Sequence, residues 1–147
     1  MKPATRKRIL AALDRFNIEV PSWGFADTGT RFGKFHQPAA ASTTEEKFED
    51  AGLVHALTGC CPTVAVHVLW DFEPAANSKQ RTAAAKATAR LAKKHGTKVG
   101  SINPNVFQDQ QYKLGSFCSP DEQARKDALK HTMDSIEIGK ATGSKHL

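Results

Sequence analysis

The 147-residue chain is poor in cysteine, tryptophan and tyrosine, and it has no long apolar run. Cys60 and Cys61 are adjacent and Cys118 is distant. This odd count matches neither a disulfide framework nor the C-x-x-C pairs of a zinc site, so reduced thiols are expected. Apolar stretches such as Thr63–Trp70 stop well short of the ~20 residues a bilayer span needs. Lys2–Arg8 is basic, but the apolar Ile9–Leu13 that follows is too short for a secretory signal core, which makes the cytoplasm the default location. Gly24-x-x-x-x-Gly29-Thr30 half-mimics a phosphate loop, yet lacks its lysine and the helix after it. No G-x-S-x-G nucleophile elbow occurs. His36, His55, His95, His131 and His146 have no metal-ligand spacing. Charged residues are 24% and apolar residues 39% of the chain, the composition of a globular protein rather than a disordered one.

The alternation of elements is more informative. Lys2–Phe16 reads as an amphipathic helix with Ile9, Leu13 and Phe16 on one face. Ile18–Trp23 reads as a strand. The loop 24–42 carries Phe25, Phe32 and Phe35, aromatics expected to be buried against something. Ser42 or Thr43, each three residues before a glutamate, opens a helix through a capping box. That helix runs to about Thr58 with Ala51, Val54 and Leu57 as its apolar face, and Gly59 ends it. Thr63–Asp71 is apolar on both faces, the mark of a parallel strand covered on both sides. Asn77 or Ser78 caps a helix that ends at Lys93-Lys94-His95-Gly96. Lys98–Asn103 is a third strand. A second irregular stretch contains Phe107, Tyr112 and Phe117. Ser119-Pro120-Asp121-Glu122 then opens a last helix with a hydroxyl cap and a proline at its first position, its stripe being Leu129, Met133 and Ile136. Gly139 or Gly143 ends it, and Lys145-His146-Leu147 reads as the approach to another strand. Strands alternating with helices imply an α/β fold of parallel βαβ units.

Ligands in parallel α/β sheets gather at the carboxyl ends of the strands. Here those ends are Val20-Pro21-Ser22-Trp23-Gly24, His67-Val68-Leu69-Trp70-Asp71 and Asn103-Pro104-Asn105-Val106-Phe107. Indole faces suit the C–H surface of a sugar, and His, Asp and Asn suit its hydroxyls. His67 and Asp71 share a strand face but lie ~13 Å apart on a straight strand, too far to touch unless the chain bends after Trp70. One reading is an imidazole whose proton state a carboxylate steers. The other is a core histidine bonded to the backbone. Trp70 points to the opposite face unless the strand ends before it. The net charge of +6 sits largely on one helix (Lys79, Arg81, Lys86, Arg90, Lys93, Lys94), as a solvated face or as a nucleic-acid contact.

Taken in order, several motifs resemble one family. They are Val20-Pro21-Ser22-Trp23-Gly24, Gly29-Thr30-Arg31-Phe32, His67-x-x-Trp70-Asp71, Asn103-x-Asn105-x-Phe107, Tyr112-Lys113-x-Gly115-Ser116, and Ile136-Glu137-Ile138-Gly139-Lys140-Ala141-x-Gly143-Ser144-Lys145. The set is similar to the N-terminal part of bacterial L-rhamnose isomerases of broad specificity, within the xylose-isomerase-like superfamily, from about Ile18 to the last residue. The resemblance implies a parallel (β/α)8 TIM barrel of which residues 1–147 hold about the first three βα units, led by a helix over 1–17. It implies a homotetramer with residues 24–42 as a subunit-contact loop, and conversion between aldose and ketose by a hydride shift. Divalent metal, typically manganese with zinc or cobalt as alternatives, polarises the sugar oxygens. His67 matches the strand-2 histidine beside the ring oxygen, assigned to ring opening or substrate positioning, and Asp71 joins it in the catalytic set. Trp23, Trp70 and Phe107 match aromatic wall residues. Phe32 matches an aromatic that reaches the neighbouring subunit's site. Pro104 and Val106 depart from the family pattern.

The family's metal ligands come from later strands, so no metal site and no isomerase activity are expected of these 147 residues alone, nor a membrane or nucleic-acid partner. The rivals are a xylose-isomerase-like epimerase, an isomerase of another sugar, and a small basic α/β domain that binds nucleic acid.

Overall fold

A computed structural model of the chain describes residues 1–26 and 37–147. The elements are helix α1 (Pro3–Leu13), strand β1 (Glu19–Pro21), helix α2 (Thr44–Thr58), strand β2 (Thr63–His67), helix α3 (Ser78–Lys94), strand β3 (Lys98–Asn103) and helix α4 (Glu122–Thr142). Short 3-10 turns occupy Ser22–Gly24 and Gln110–Tyr112. The strands form one sheet in the order β1-β2-β3, both pairs parallel. Each strand lies beside its predecessor. Right-handed crossovers that all step the same way put their helices on the same sheet face. Consistently, α2 packs on α3 and α3 on α4.

Val64 and Val66 of β2 meet Val99 and Ile102 of β3 and, from the helices, Phe48, Ala51, Ala85, Ala92 and Ile138. Because side chains alternate along a strand, Ala65 and His67 belong to the other face. Both are buried as well, so β2 is covered on both sides, as its unbroken apolar run implied.

The β2–β3 ladder slips once. Val64 faces Val99 and Val66 faces Ile102, so Gly100 and Ser101 stand where β2 offers one residue. Such a bulge frees a backbone amide. Here the Ser101 N–H donates to the Glu19 carboxylate at 2.7 Å. A Cβ on residue 100 would fall 1.4 Å from Glu19 Oε1. Glycine therefore leaves the lane through which a β1 side chain reaches β3.

Caps follow the expected chemistry with one shift. Thr43 and Glu46 form the capping box of α2, and Gly59 closes it at φ +70°. Asn77 caps α3. Helix α4 is capped by Asp121 rather than Ser119. The Ser119 hydroxyl instead accepts the Asp121 N–H at 3.2 Å, which puts Pro120 ahead of the cap rather than inside the helix. Gly143 ends α4, and beyond it the Ile102 N–H donates to the His146 carbonyl at 3.0 Å.

The predicted apolar faces are partly wrong. In α1 no residue is buried, and Ile9, Leu13 and Phe16 are exposed. In α2 the buried face is Lys47, Phe48 and Ala51, while Leu57 is 78% exposed. In α4 the buried side is Ala124, Ala128, Ser135, Ile138 and Gly139, with Leu129 and Met133 outside. Helices α3 and α4 pack on each other, and the buried side of α4 is made mostly of small residues. Of the loop aromatics, Tyr112 is buried and Phe25 packs on the core, whereas Phe107 and Phe117 are exposed. Phe32 and Phe35 lie outside the described residues. Among the described residues no helix is long and apolar enough to cross a membrane.

Candidate active site

The carboxyl end of β2 is where the sequence motifs converge. The strand stops at His67 because the next residues turn back on it. The N–H groups of Trp70 and Asp71 both donate to the His67 carbonyl, at 3.1 and 3.0 Å. That turn removes the ~13 Å separation a straight strand would impose. The Asp71 carboxylate then accepts the His67 main-chain N–H at 2.7 Å. It reaches the backbone of His67, and its hydrogen bonds go there rather than to the ring.

Asp71 is also bonded from two other elements. Its Oδ1 takes an ion pair from Lys47 Nζ of α2 at 2.8 Å, and its Oδ2 accepts the Ser22 hydroxyl from the turn after β1. Lys47 Nζ donates as well to the Trp70 carbonyl at 3.1 Å. The Asp71 carbonyl accepts from Thr88 of α3 at 2.9 Å. Ser22, Lys47 and Asp71 are all buried. A buried lysine and a buried aspartate are tolerated only as partners, since either alone leaves an uncompensated charge in a medium of low polarity.

Above this cluster stand three rings. The turn carries Trp70 across to the His67 side, and the two rings stack with centroids 3.7 Å apart and planes 15° from parallel. Trp23 meets His67 edge-on at 6.3 Å and 81°. The imidazole is 1% exposed. Its Nδ1 accepts the Leu69 N–H at 3.3 Å, so the ring proton of the neutral form belongs on Nε2. Nε2 is buried and has no hydrogen-bond partner among the described residues. Burial pushes the His67 pKa down to about 4, against a smaller upward pull from Asp71. His67 is therefore a neutral donor at pH 7, with one unspent N–H.

His131 of α4 lies nearby and depresses the His67 pKa slightly further. Its Nε2 accepts the Asn105 N–H at 2.9 Å, which pins the loop after β3. Burial lowers the His131 pKa too. A pocket of about 510 Å³ opens beside this pair, lined by Leu69, Asn105, Tyr112 and His131 among others; His67, Trp23 and Trp70 do not line it. Its polar groups largely satisfy one another, as Asn105 with Gln108 and Lys130 with Asp134.

The structure thus brings together His67, Asp71, Trp70 and Trp23. Phe107 sits in the β3–α4 loop and is 63% exposed. Phe32 lies outside the described residues. Sequence reasoning missed Lys47, Ser22 and His131. Lys47 is adjacent to the buried Phe48, but no local pattern marks it. Among the described residues no three His, Cys, Asp or Glu side chains gather as a metal site.

No protein-family model matches the chain. Two relatives do. One, from Mesorhizobium japonicum, is 33% identical over 144 residues, and one from Rhizobium meliloti is 31% identical over the same length. Both are named probable sugar isomerase. The chain is similar to sugar isomerases. The match takes in 95% of this chain but 31% of each relative, so the chain spans about a third of their length. The likeness covers β1, β2 and β3 together with the whole His67 cluster, and supports a sugar isomerase family.

Proposed function

We propose that this chain forms the β1–β3 wall of the sugar pocket in an aldose–ketose isomerase of the L-rhamnose to L-rhamnulose type. One observation carries the reading: an imidazole held neutral between two indoles, with a buried N–H that has no hydrogen-bond partner among the described residues. An uncharged polyol supplies what that arrangement lacks. Nε2 is buried, so a ring or hydroxyl oxygen accepts from it once the side chains around the ring part, and the sugar's C–H face packs on indole surface. The Nδ1 bond to Leu69 fixes the tautomer, so His67 binds and orients a sugar oxygen rather than removing its proton.

In this reading the three βα units are part of a (β/α)8 barrel, in keeping with their sequential parallel order and with helices that pack side by side. The whole protein assembles as a tetramer in this reading. Manganese, zinc or cobalt takes its ligands outside the described residues. This segment then holds the sugar, and the hydride shift depends on groups it does not contain.

The test is a titration of the 147-residue chain with L-rhamnose, D-mannose and D-allose, followed by fluorescence of its two tryptophans. Binding of at least one sugar is expected. His67→Phe, which keeps a stacked ring and deletes the donor, should weaken it roughly tenfold, the cost of one buried hydrogen bond. No response to any aldose overturns the reading. Preference for mannose or allose would change the substrate and keep the class. The chain alone is expected to isomerise no sugar. Turnover that depends on a dialysable metal would contradict that part.

A further inference from the structure

The cluster beneath the rings is built too specifically for a packing role alone. Two of the rings are anchored through their own main chain and the third through the side chain of its neighbour. The His67 N–H donates to Asp71, Lys47 Nζ donates to the Trp70 carbonyl, and Ser22, next to Trp23, donates its hydroxyl to Asp71. Lys47 comes from α2 and Thr88 from α3, so two helices on one face of the sheet reach the turn that presents the rings. A straight continuation of β2 would send Trp70 to the face opposite His67. What holds the turn closed therefore decides whether the stack exists.

We propose that Lys47, acting with Ser22 through the Asp71 carboxylate, is the positioning residue of this site: it locks the turn after β2 and so sets the His67–Trp70 stack and the direction of His67 Nε2. The network touches no ligand and moves no proton to or from one. Its bearing on sugar binding rests on the function proposed above, whereas the geometry of the stack does not.

Both tryptophans of the chain lie in the site, which makes tryptophan spectroscopy a local readout. Removing Lys47 alone would strand a buried carboxylate, so the test variant is Lys47→Met with Asp71→Asn, which deletes both charges together. Three signals are followed: far-UV and near-UV circular dichroism, and tryptophan fluorescence against pH. The double variant is expected to keep the far-UV spectrum and cooperative unfolding. It should lose at least half of the near-UV tryptophan signal. Deleting the Asp71 charge lowers the His67 pKa and deleting Lys47 raises it; contact of the imidazole with water outweighs both, so the fluorescence transition should move up by about one pH unit or more. A double variant that folds with both tryptophan readouts unchanged overturns the proposal.

If the double variant does not fold, Ser22→Ala decides. This neutral change must shift the same two readouts in the same direction by a smaller amount, and a folded Ser22→Ala protein identical to the parent overturns the proposal. Adding L-rhamnose separates the two claims. Ring readouts that shift as expected in a parent protein blind to sugar support the positioning role and sink the sugar reading instead.

Discussion

Among single residues, His67 departs furthest from its behaviour in water. Its folded pKa of about 4 lies below the ~6.5 of an unfolded histidine. As pH falls, the unfolded chain takes up that proton first. The neutral burial of His67 therefore contributes stability that is fully present above about pH 6.5 and is lost progressively toward pH 4, on the order of 3 kcal/mol in all. Other groups share this sign. Glu45 is held low chiefly by Lys94, and Glu46 by the amides of Ser42 and Thr43. The measurement must therefore be differential. Urea unfolding of the parent should weaken more steeply between pH 7 and pH 4.5 than that of His67→Phe, and parallel curves would show that His67 is not buried neutral. Gly52 is a second residue with no room for a side chain. A Cβ there would sit 2.2 Å from the His95 carbonyl oxygen at the end of α3. Helix propensity alone favours alanine by about 1 kcal/mol. The clash should reverse that sign, so Gly52→Ala is expected to lower stability by about 1–3 kcal/mol in chemical denaturation.

For the elements, what was legible followed from local chemistry, and what was not followed from packing between elements. The capping box of Thr43 and Glu46, the glycine stops and the Asn77 cap are decided within four residues of chain, and they appear where the residues imply. The strand order follows from the alternation of helix and strand. The helix faces do not, because 3.6-residue periodicity cannot tell which of two apolar stripes a neighbour will cover. In α2 the stripe through Leu57 lost to the one through Phe48, and in α4 alanine and glycine won over Leu129 and Met133. Phe48→Ala should accordingly cost about 3–5 kcal/mol and Leu57→Ala less than about 0.5. Equal losses in thermal unfolding would contradict this assignment of faces. The site shows the same division. Trp23, His67, Trp70 and Asp71 were visible as strand-end motifs. The partners of Asp71 were not, since Ser22 and Lys47 lie 49 and 24 residues away and no local pattern links them.

Across the whole molecule, the described residues form three parallel strands flanked by helices, a third of the length of the relatives that resemble it. Apolar side chains remain outside at Ile9, Leu13, Phe16, Leu53, Leu57, Leu129 and Met133. Exposed apolar surface of this kind favours association. Sedimentation of the 16.0 kDa chain should show species heavier than a monomer as concentration rises; a single monomeric species throughout would count against it. The basic face of α3 is partly committed within the fold, Arg81 to Asp134 and Glu137, and Lys94 to Glu45. The central claim is that the unspent N–H of His67, framed by Trp23 and Trp70, is a sugar contact. Nitrogen-15 NMR of the chain during titration with L-rhamnose tests it most directly. A neutral His67 at pH 7 with its proton on Nε2 is expected, with shifts that grow with sugar at His67, Trp23 and Trp70. A His67 protonated on Nδ1, or saturating rhamnose that leaves these three residues unmoved, would contradict it.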